Sequence, residues 1–253
     1  MILKQMDSKD DQIAELKRLI SIAPEDRKAK IEQELISLRA GIKAEKDAAY
    51  LINFAFEASP RTLIIHDLRL EVDNRVAQID HLLIHRTLNI FVLETKCFHS
   101  HIKINDNGEF LRLNNFTKLF EGIPSPIAQN ERHIDVLKDA FNQIDMPSRL
   151  GIKLSPVFHS FILVDTRTRI DRPKEFDSSQ VIKADMINKS VRASLEKNEL
   201  LKDIGNLSRF MSSKAIKKIG HSILSIHKPI SYNYAAKFGL TGNPLPKKYL
   251  TGL

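Results

Sequence analysis

Asp80, Glu94 and Lys96 sit inside two apolar stretches, "VAQIDHLLIHR" and "NIFVLETKCF", that otherwise read as strand core. Ionised side chains are costly to bury unless they pair or bind a metal. Strand side chains alternate faces, so Ile90, Val92, Glu94 and Lys96 share one side and Phe91, Leu93, Thr95 and Cys97 the other. Asp80 shares a side with Gln78 and Leu82, opposite His81, Leu83 and His85. The short "RTLN" link lets the two strands pair as neighbours, which brings Asp80 beside Glu94. Two converging carboxylates repel, and one lysine relieves only part of that; a hard divalent cation relieves more. Oxygen-only ligation with open positions suits Mg²⁺ or Mn²⁺ better than zinc. Such an ion polarises a phosphoryl oxygen, while the lysine positions or deprotonates a water and offsets phosphate charge, which is phosphodiester hydrolysis. The competing reading is a buried salt bridge between Lys96 and Glu94 or Asp80 that holds the sheet in register. A Glu-x-Lys on one strand does not separate the two.

Those strands need neighbours to hold them. From Asp11 to Phe56 the apolar spacing is helical, with Ile13, Leu16, Leu19 and Ile20 in one stripe and Ile31, Leu35, Leu38 and Ile42 in another. Pro24, followed by Glu25 and Asp26, suits the first turn of a second helix, so the segment reads as a helical hairpin. It serves either as an intramolecular brace or as an arm for homo-oligomerisation. After "EASPRT" the period changes to that of strands: "TLIIHDLRL", "VAQIDHLLIHR" and "NIFVLETKCF", joined by links short enough for antiparallel pairing. "HIKINDNGEFLRLN" turns at Asn107-Gly108, a hairpin signal. "SPIAQNERHIDVLKDAFNQI" reads as a helix, with Ile127, Ile134, Leu137 and Phe141 on one face, and "PVFHSFILVD" as a central strand. Further helices fall between about Lys183 and His227, and the Gly- and Pro-containing tail reads as loop.

The chain of 253 residues carries a net charge of +8, which suits a polyanionic partner such as nucleic acid. Tryptophan is absent and only four tyrosines occur, so aromatic stacking along the basic surface is not expected and binding should be electrostatic. No apolar run approaches the roughly 20 residues that span a bilayer, and the first residues lack a signal-peptide core, so neither membrane nor export is expected. The single cysteine, Cys97, excludes an internal disulfide and a multi-cysteine zinc site, and a cytoplasmic setting follows as the expectation. Its strand position suits packing better than nucleophilic chemistry.

Four elements occur in order: Gly41 to Glu45 on the first long helix, "QIDHLLI" around Asp80, "VLETKCF" around Glu94 and Lys96, and "SPIAQ" opening the next helix. Together they resemble the nuclease-related domain, NERD, a branch of the PD-(D/E)xK nuclease superfamily. The resemblance runs from about Gly41 to Asp165, and "IDRPKEFDSSQVIKAD" looks like its continuation. It implies metal ligation by Asp80 and Glu94, Lys96 as the catalytic lysine, Glu45 reaching the metal through water, and Gln129 supporting the site or touching substrate. It also implies a Mg²⁺- or Mn²⁺-dependent hydrolase acting on DNA in processing, repair or defence. A scaffold that binds nucleic acid with negligible cleavage is the alternative. Ser125 stands where an asparagine is more usual, and Leu113 where many relatives have tryptophan; both departures bear on substrate contacts more than on the metal.

The expected fold is thus α/β: a restriction-endonuclease-like core with a central mixed β-sheet flanked by helices, an N-terminal helical hairpin and C-terminal helices. The expected divisions are residues 1–40 for the hairpin, 41–190 for the nuclease-like domain and 191–253 for the extension and tail. Leu38, Ile42, Glu45, Ala49, Ile52 and Phe56 follow a three- and four-residue rhythm that puts Glu45 on the seam facing the sheet. Among the histidines, parity turns His81 and His85 away from Asp80, His99 and His101 read as an exposed or substrate-facing pair, and His133 lies one turn beyond Gln129, where it can line the same cleft.

Overall fold

A computed structural model describes residues 1–98, 101–114, 116–149, 152–200 and 210–240. The chain opens with strand β1 (Ile2–Lys4), helices α1 (Asp10–Ile22) and α2 (Glu25–Phe56), then strands β2 (Thr62–Val72), β3 (Arg75–His85) and β4 (Asn89–Lys96). Three short strands follow, β5 (His101–Ile104), β6 (Phe110–Leu113) and β7 (Phe120–Ile123), then helix α3 (Pro126–Asn142). Next come β8 (Ser148–Arg149), β9 (Ile152–Lys153), β10 (Val157–Val164), β11 (Arg169–Asp171) and β12 (Val181–Lys183). A 3₁₀ turn at Ala184–Met186 leads into α4 (Ile187–Leu200), and α5 (Ser213–Ser225) and α6 (Tyr234–Lys237) complete the described chain.

The central sheet is mixed, in the order β1-β2-β3-β4-β10-β12. Strands β2, β3 and β4 are antiparallel neighbours, while β10 runs parallel to both β4 and β12. One face is covered by α3 and α5, whose Ile134, Leu137, Phe141, Ile216 and Ile219 pack on Ile65, Leu82, Ile84, Ile90 and Val92. The other is covered by α4 and the C-terminal half of α2, with Ala48, Ile52, Phe56, Ile187 and Val191 against Leu83, Phe91, Leu93 and Phe161. Each large apolar side chain so buried contributes about 1.5–3 kcal/mol. The architecture is therefore the mixed sheet flanked by helices that the periodicity predicts.

A second sheet, ordered β11-β5-β6-β7, is built on the expected turn at Asn107-Gly108, where Gly108 takes φ +78°. Its Ile102, Ile104 and Phe110 pack with Phe98 and with Ile127 in the first turn of α3.

Contacts divide the chain into two compact units, residues 1–7 with 43–229 and residues 8–42 with 230–253. The first holds the central sheet, the second sheet and the short β8–β9 pair. In the second, the α1 and N-terminal α2 residues Leu16, Leu19, Ile31 and Leu35 bury against Tyr234 and Leu240. The Tyr234 hydroxyl donates to Gln12 Oε1 at 2.9 Å, and Arg27 donates to the carbonyl oxygen of Phe238 at 2.9 Å. The tail read as loop thus contains one short helix, and residues 241–253 lie outside the described chain. Strand β1, paired parallel to β2, and strands β7 and β11 are further additions to the predicted elements.

Strict alternation fails at one place. The β2–β3 ladder pairs His66 with His81 and then Leu68 with Ile79, skipping Asp67 and Asp80. Asp67 adopts φ +50°, a left-handed conformation that is uncommon outside glycine. Both strands kink there, so Ile79 and Leu82 lie in the same core layer despite their odd spacing.

Candidate active site

The kink sets up a fork. The last β3–β4 pair is His81 with Leu93, and the ladder between them ends there. Beyond it the Thr95 amide donates to Asp80 Oδ2 at 2.7 Å, so Asp80 bridges the diverging strands. Glu94, buried at 4% exposure, and Lys96 follow on β4. The Lys96 ammonium lies 2.7 Å from Glu94 Oε1 and donates to Gln129 Oε1 at 2.9 Å, while Gln129 Nε2 donates to Glu94 Oε1 at 3.0 Å. Lysine, glutamate and glutamine therefore close a ring of polar contacts.

Gln129 is delivered by α3, and local chemistry explains its aim. Ser125 caps the helix by accepting from the Ala128 amide at 3.3 Å, and Pro126 occupies the first turn, where its missing N–H costs nothing. One residue beyond Gln129, the buried Asn130 donates to the Val92 carbonyl and to Ser160 Oγ, both at 2.9 Å, which clamps the helix across β4 and β10. His133, one turn further on, comes within 3.6 Å of Glu94 Oε2 through Nδ1, close for charges but too long for a hydrogen bond.

The carboxylates are unequal. Burial pushes the Asp80 carboxyl well above the usual aspartate range, and the charges of Glu94 and Glu45 push it further; the Thr95 amide and Lys96 offset only part. Burial also opposes the charge of Glu94, but His133 and Lys96 outweigh it and hold that carboxyl below its ordinary value. Glu45, half-buried on α2, is near enough to act on Asp80, with Ala48, Ala49 and Ile52 buried beyond it on the same helix. The fold therefore gathers Asp80, Glu94, Lys96 and Gln129, with Glu45 in electrostatic reach and His133 against Glu94.

One oxygen stands out: Glu94 Oε2 is buried and makes no hydrogen bond, with only the longer approach of His133 beside it. Such a carboxylate oxygen beside a second, charge-strained carboxylate is a donor set that a hard divalent cation fits. Among the described residues, no three His, Cys, Asp or Glu side chains stand together closely enough to hold a metal by themselves. The ion would need water or substrate oxygens to complete its shell, as Mg²⁺ commonly does.

The remaining histidines take other places. His81 is buried against His66, the two Nδ1 atoms 2.8 Å apart, and His66 Nε2 meets Asn53 Oδ1 at 3.0 Å. This buried pair has no signature in the spacing; only the facing register of β2 and β3 reveals it. Burial lowers His66 from 6.5 to about 4, and His85 likewise. His101 is not an exposed side chain: its Nε2 lies 2.7 Å from Asp171 Oδ2 and its ring meets Phe120 edge-on. His99 lies outside the described residues. Burial pushes the Cys97 thiol up, in keeping with a packing role.

A mixed sheet forked around an aspartate and a Glu-x-Lys strand, with a glutamine-bearing helix across the fork, defines a nuclease-like core. Residues 40–164 match the family model of the nuclease-related domain, NERD, and this segment of the chain belongs to that family. Glu45, Asp80, Glu94, Lys96, Gln129 and His133 all fall inside the matched segment. No match was found among the curated proteins or among the solved structures.

Proposed function

We propose that the protein is a metal-dependent nuclease that hydrolyses phosphodiester bonds of DNA, with Mg²⁺ or Mn²⁺ as its ion. The observation that carries this reading is the buried Glu94 Oε2, which makes no hydrogen bond, beside an Asp80 whose charge is penalised by both Glu94 and Glu45. The Lys96 salt bridge accounts for Oε1 of Glu94, while Oε2 has only the 3.6 Å approach of His133. Asp80 and Glu94 would hold the ion directly and Glu45 through water. The ion, when bound, supplies Lewis-acid polarisation of the scissile phosphate. Lys96 uses two contacts within the protein and keeps 28% of its side-chain surface open, so its ammonium can also orient a water or steady phosphate charge. Gln129 fixes the lysine and, through the same amide, holds Glu94 in place. In the hydrolysis a water oxygen bonds to phosphorus, the bond from phosphorus to the leaving oxygen breaks, and that oxygen takes up a proton.

A second reading rests on a specific observation, the closed ring of Lys96, Glu94 and Gln129, which satisfies the lysine without metal. On that reading the protein is a nucleic-acid-binding scaffold with negligible cleavage. The deciding experiment incubates the purified protein with labelled single-stranded, duplex and branched DNA in Mg²⁺, Mn²⁺ or chelator. Metal-dependent cleavage that disappears in Glu94→Gln supports the nuclease; binding without cleavage in either metal supports the scaffold.

A further inference from the structure

The turn between β6 and β7 presents apolar side chains to solvent in a way the core does not require. Phe116 is 97% exposed and Leu119 67% exposed, with Lys118 between them. Asn114 Oδ1 accepts from the amides of Phe116 at 2.9 Å and Thr117 at 3.2 Å, and the Lys118 amide donates to the Asn114 carbonyl at 2.9 Å. Lys118 itself takes φ +58° to close the turn and makes no ion pair among the described residues. The described residues of the turn thus carry an exposed aromatic ring and, two residues on, a cation with no ion pair among the described residues.

The root of this hairpin is shared with the candidate active site. Phe110 and Ile102 of the second sheet pack with Phe98, two residues after Lys96, and with Ile127, two residues before Gln129. We propose that the Phe116 tip is a stacking contact for a base in a single-stranded stretch of the nucleic acid, with Lys118 on the adjoining phosphate. The proposal rests on the nuclease-like domain acting on nucleic acid, and names the strand state that it engages. Base stacking needs one accessible ring face and a nearby cation, which is what the tip supplies. A protein partner would need about 800 Å² per side for a stable interface, far more than a turn of this size offers. Anchoring to a membrane takes a broad apolar face with several cations, and the turn has one. The +8 net charge of the chain favours the same polyanionic partner. This places one aromatic contact where composition predicted none.

The test is fluorescence polarisation of a fluorescein-labelled single-stranded oligothymidylate and of a blunt mixed-sequence duplex, with the full chain in chelator so that cleavage is not required. Phe116→Ala should weaken binding to the single strand by about 5- to 150-fold and leave duplex binding unchanged. Phe116→Trp should restore it, and Lys118→Ala should lower the salt slope for the single strand by about 0.7. Phe54→Ala, at another exposed ring, should change nothing. Equal single-strand affinity for wild type and Phe116→Ala overturns the proposal, as does absence of binding by the wild type. A change in hydrodynamic size in Phe116→Ala with affinity unchanged also overturns it and assigns the tip to self-contact. Single-strand binding that depends on Phe116, in a protein that cleaves nothing in Mg²⁺ or Mn²⁺, upholds this contact and sinks the nuclease reading alone.

Discussion

Replacing Asp80 by asparagine should stabilise the metal-free protein at neutral pH, although it removes a residue from the site. The folded protein holds the Asp80 proton more tightly than the unfolded chain does, because burial and the charges of Glu94 and Glu45 oppose ionisation. Its contribution therefore favours folding below the ordinary value of 3.8 and turns into a penalty as the pH rises through and beyond it. Asparagine keeps an oxygen for the Thr95 amide and removes the repulsion. Like charges at an effective dielectric of about 20 repel by roughly 4 kcal/mol at 4 Å and half that at 8 Å. Lys96 and the lost charge-assisted bond offset much of this, which leaves a gain of about 1–2 kcal/mol. At roughly 2–4 °C per kcal/mol the melting temperature should rise by about 2–8 °C. Glu94→Gln should do the opposite. Its carboxyl is held below 4.5, so it contributes stability above that value and loses it as the pH falls through the lower folded one. Removing it leaves a partly exposed lysine without its counter-charge, a cost of about 1–3 kcal/mol. Thermal melts in EDTA between pH 7 and pH 4 read both signs. Destabilisation by Asp80→Asn at pH 7, or a gain that does not shrink toward pH 4, refutes the electrostatic account.

Lys96→Ala should abolish cleavage while metal-dependent stabilisation remains measurable by melting with and without Mg²⁺; unchanged turnover would exclude Lys96 from the chemistry. Glu45→Gln should weaken the Mg²⁺ dependence of cleavage, yet less completely than Asp80→Asn, and a parallel Mg²⁺ titration of the two separates a water-mediated role from none. Affinity for duplex DNA should fall linearly on a log–log plot against salt with a slope near −0.9 per phosphate contact, checked by binding isotherms from low to physiological salt. His66, lowered to about 4 by burial despite Asp67, contributes stability that is complete above pH 6.5 and lost as the pH falls from there toward 4, about 3 kcal/mol in all. His66→Gln should remove that share of the low-pH limb of a stability–pH profile and leave the share contributed by His85.

Much of the scaffold was legible because its signals are local. The alternating runs around Ile64, Leu82 and Val92 mark β2–β4, Asn107-Gly108 marks a hairpin, and the Ile127-to-Phe141 stripe marks α3. Parity also places Glu94 and Lys96 on one face with Ile90 and Val92, and helical register places Glu45 with Ala49 and Ile52. What was hidden depends on partners distant in sequence. Three residues of β1 carry no period of their own and become a strand only by pairing with β2. The kink at Asp67 and Asp80 has no glycine to announce it, so strict alternation assigns Ile79 to the wrong layer. Asn130 looks like a surface residue until its bonds to Val92 and Ser160 are seen, and the His66–His81 pair exists only once β2 and β3 are in register.

The rung between Asp80 and the Thr95 amide separates two roles that a survey of related sequences would otherwise merge. At this point of the fork a side-chain oxygen does what a backbone carbonyl does elsewhere in a ladder, so an oxygen-bearing side chain is required there by architecture alone. The fold therefore asks for aspartate or asparagine at position 80 with or without cleavage, and finding one says little about turnover. Glu94 is different: its Oε2 accepts no hydrogen bond and has only His133 Nδ1 beside it, at 3.6 Å. On the proposed nuclease reading, a relative with Glu94 replaced by glutamine or an apolar residue and Asp80 retained would not cleave.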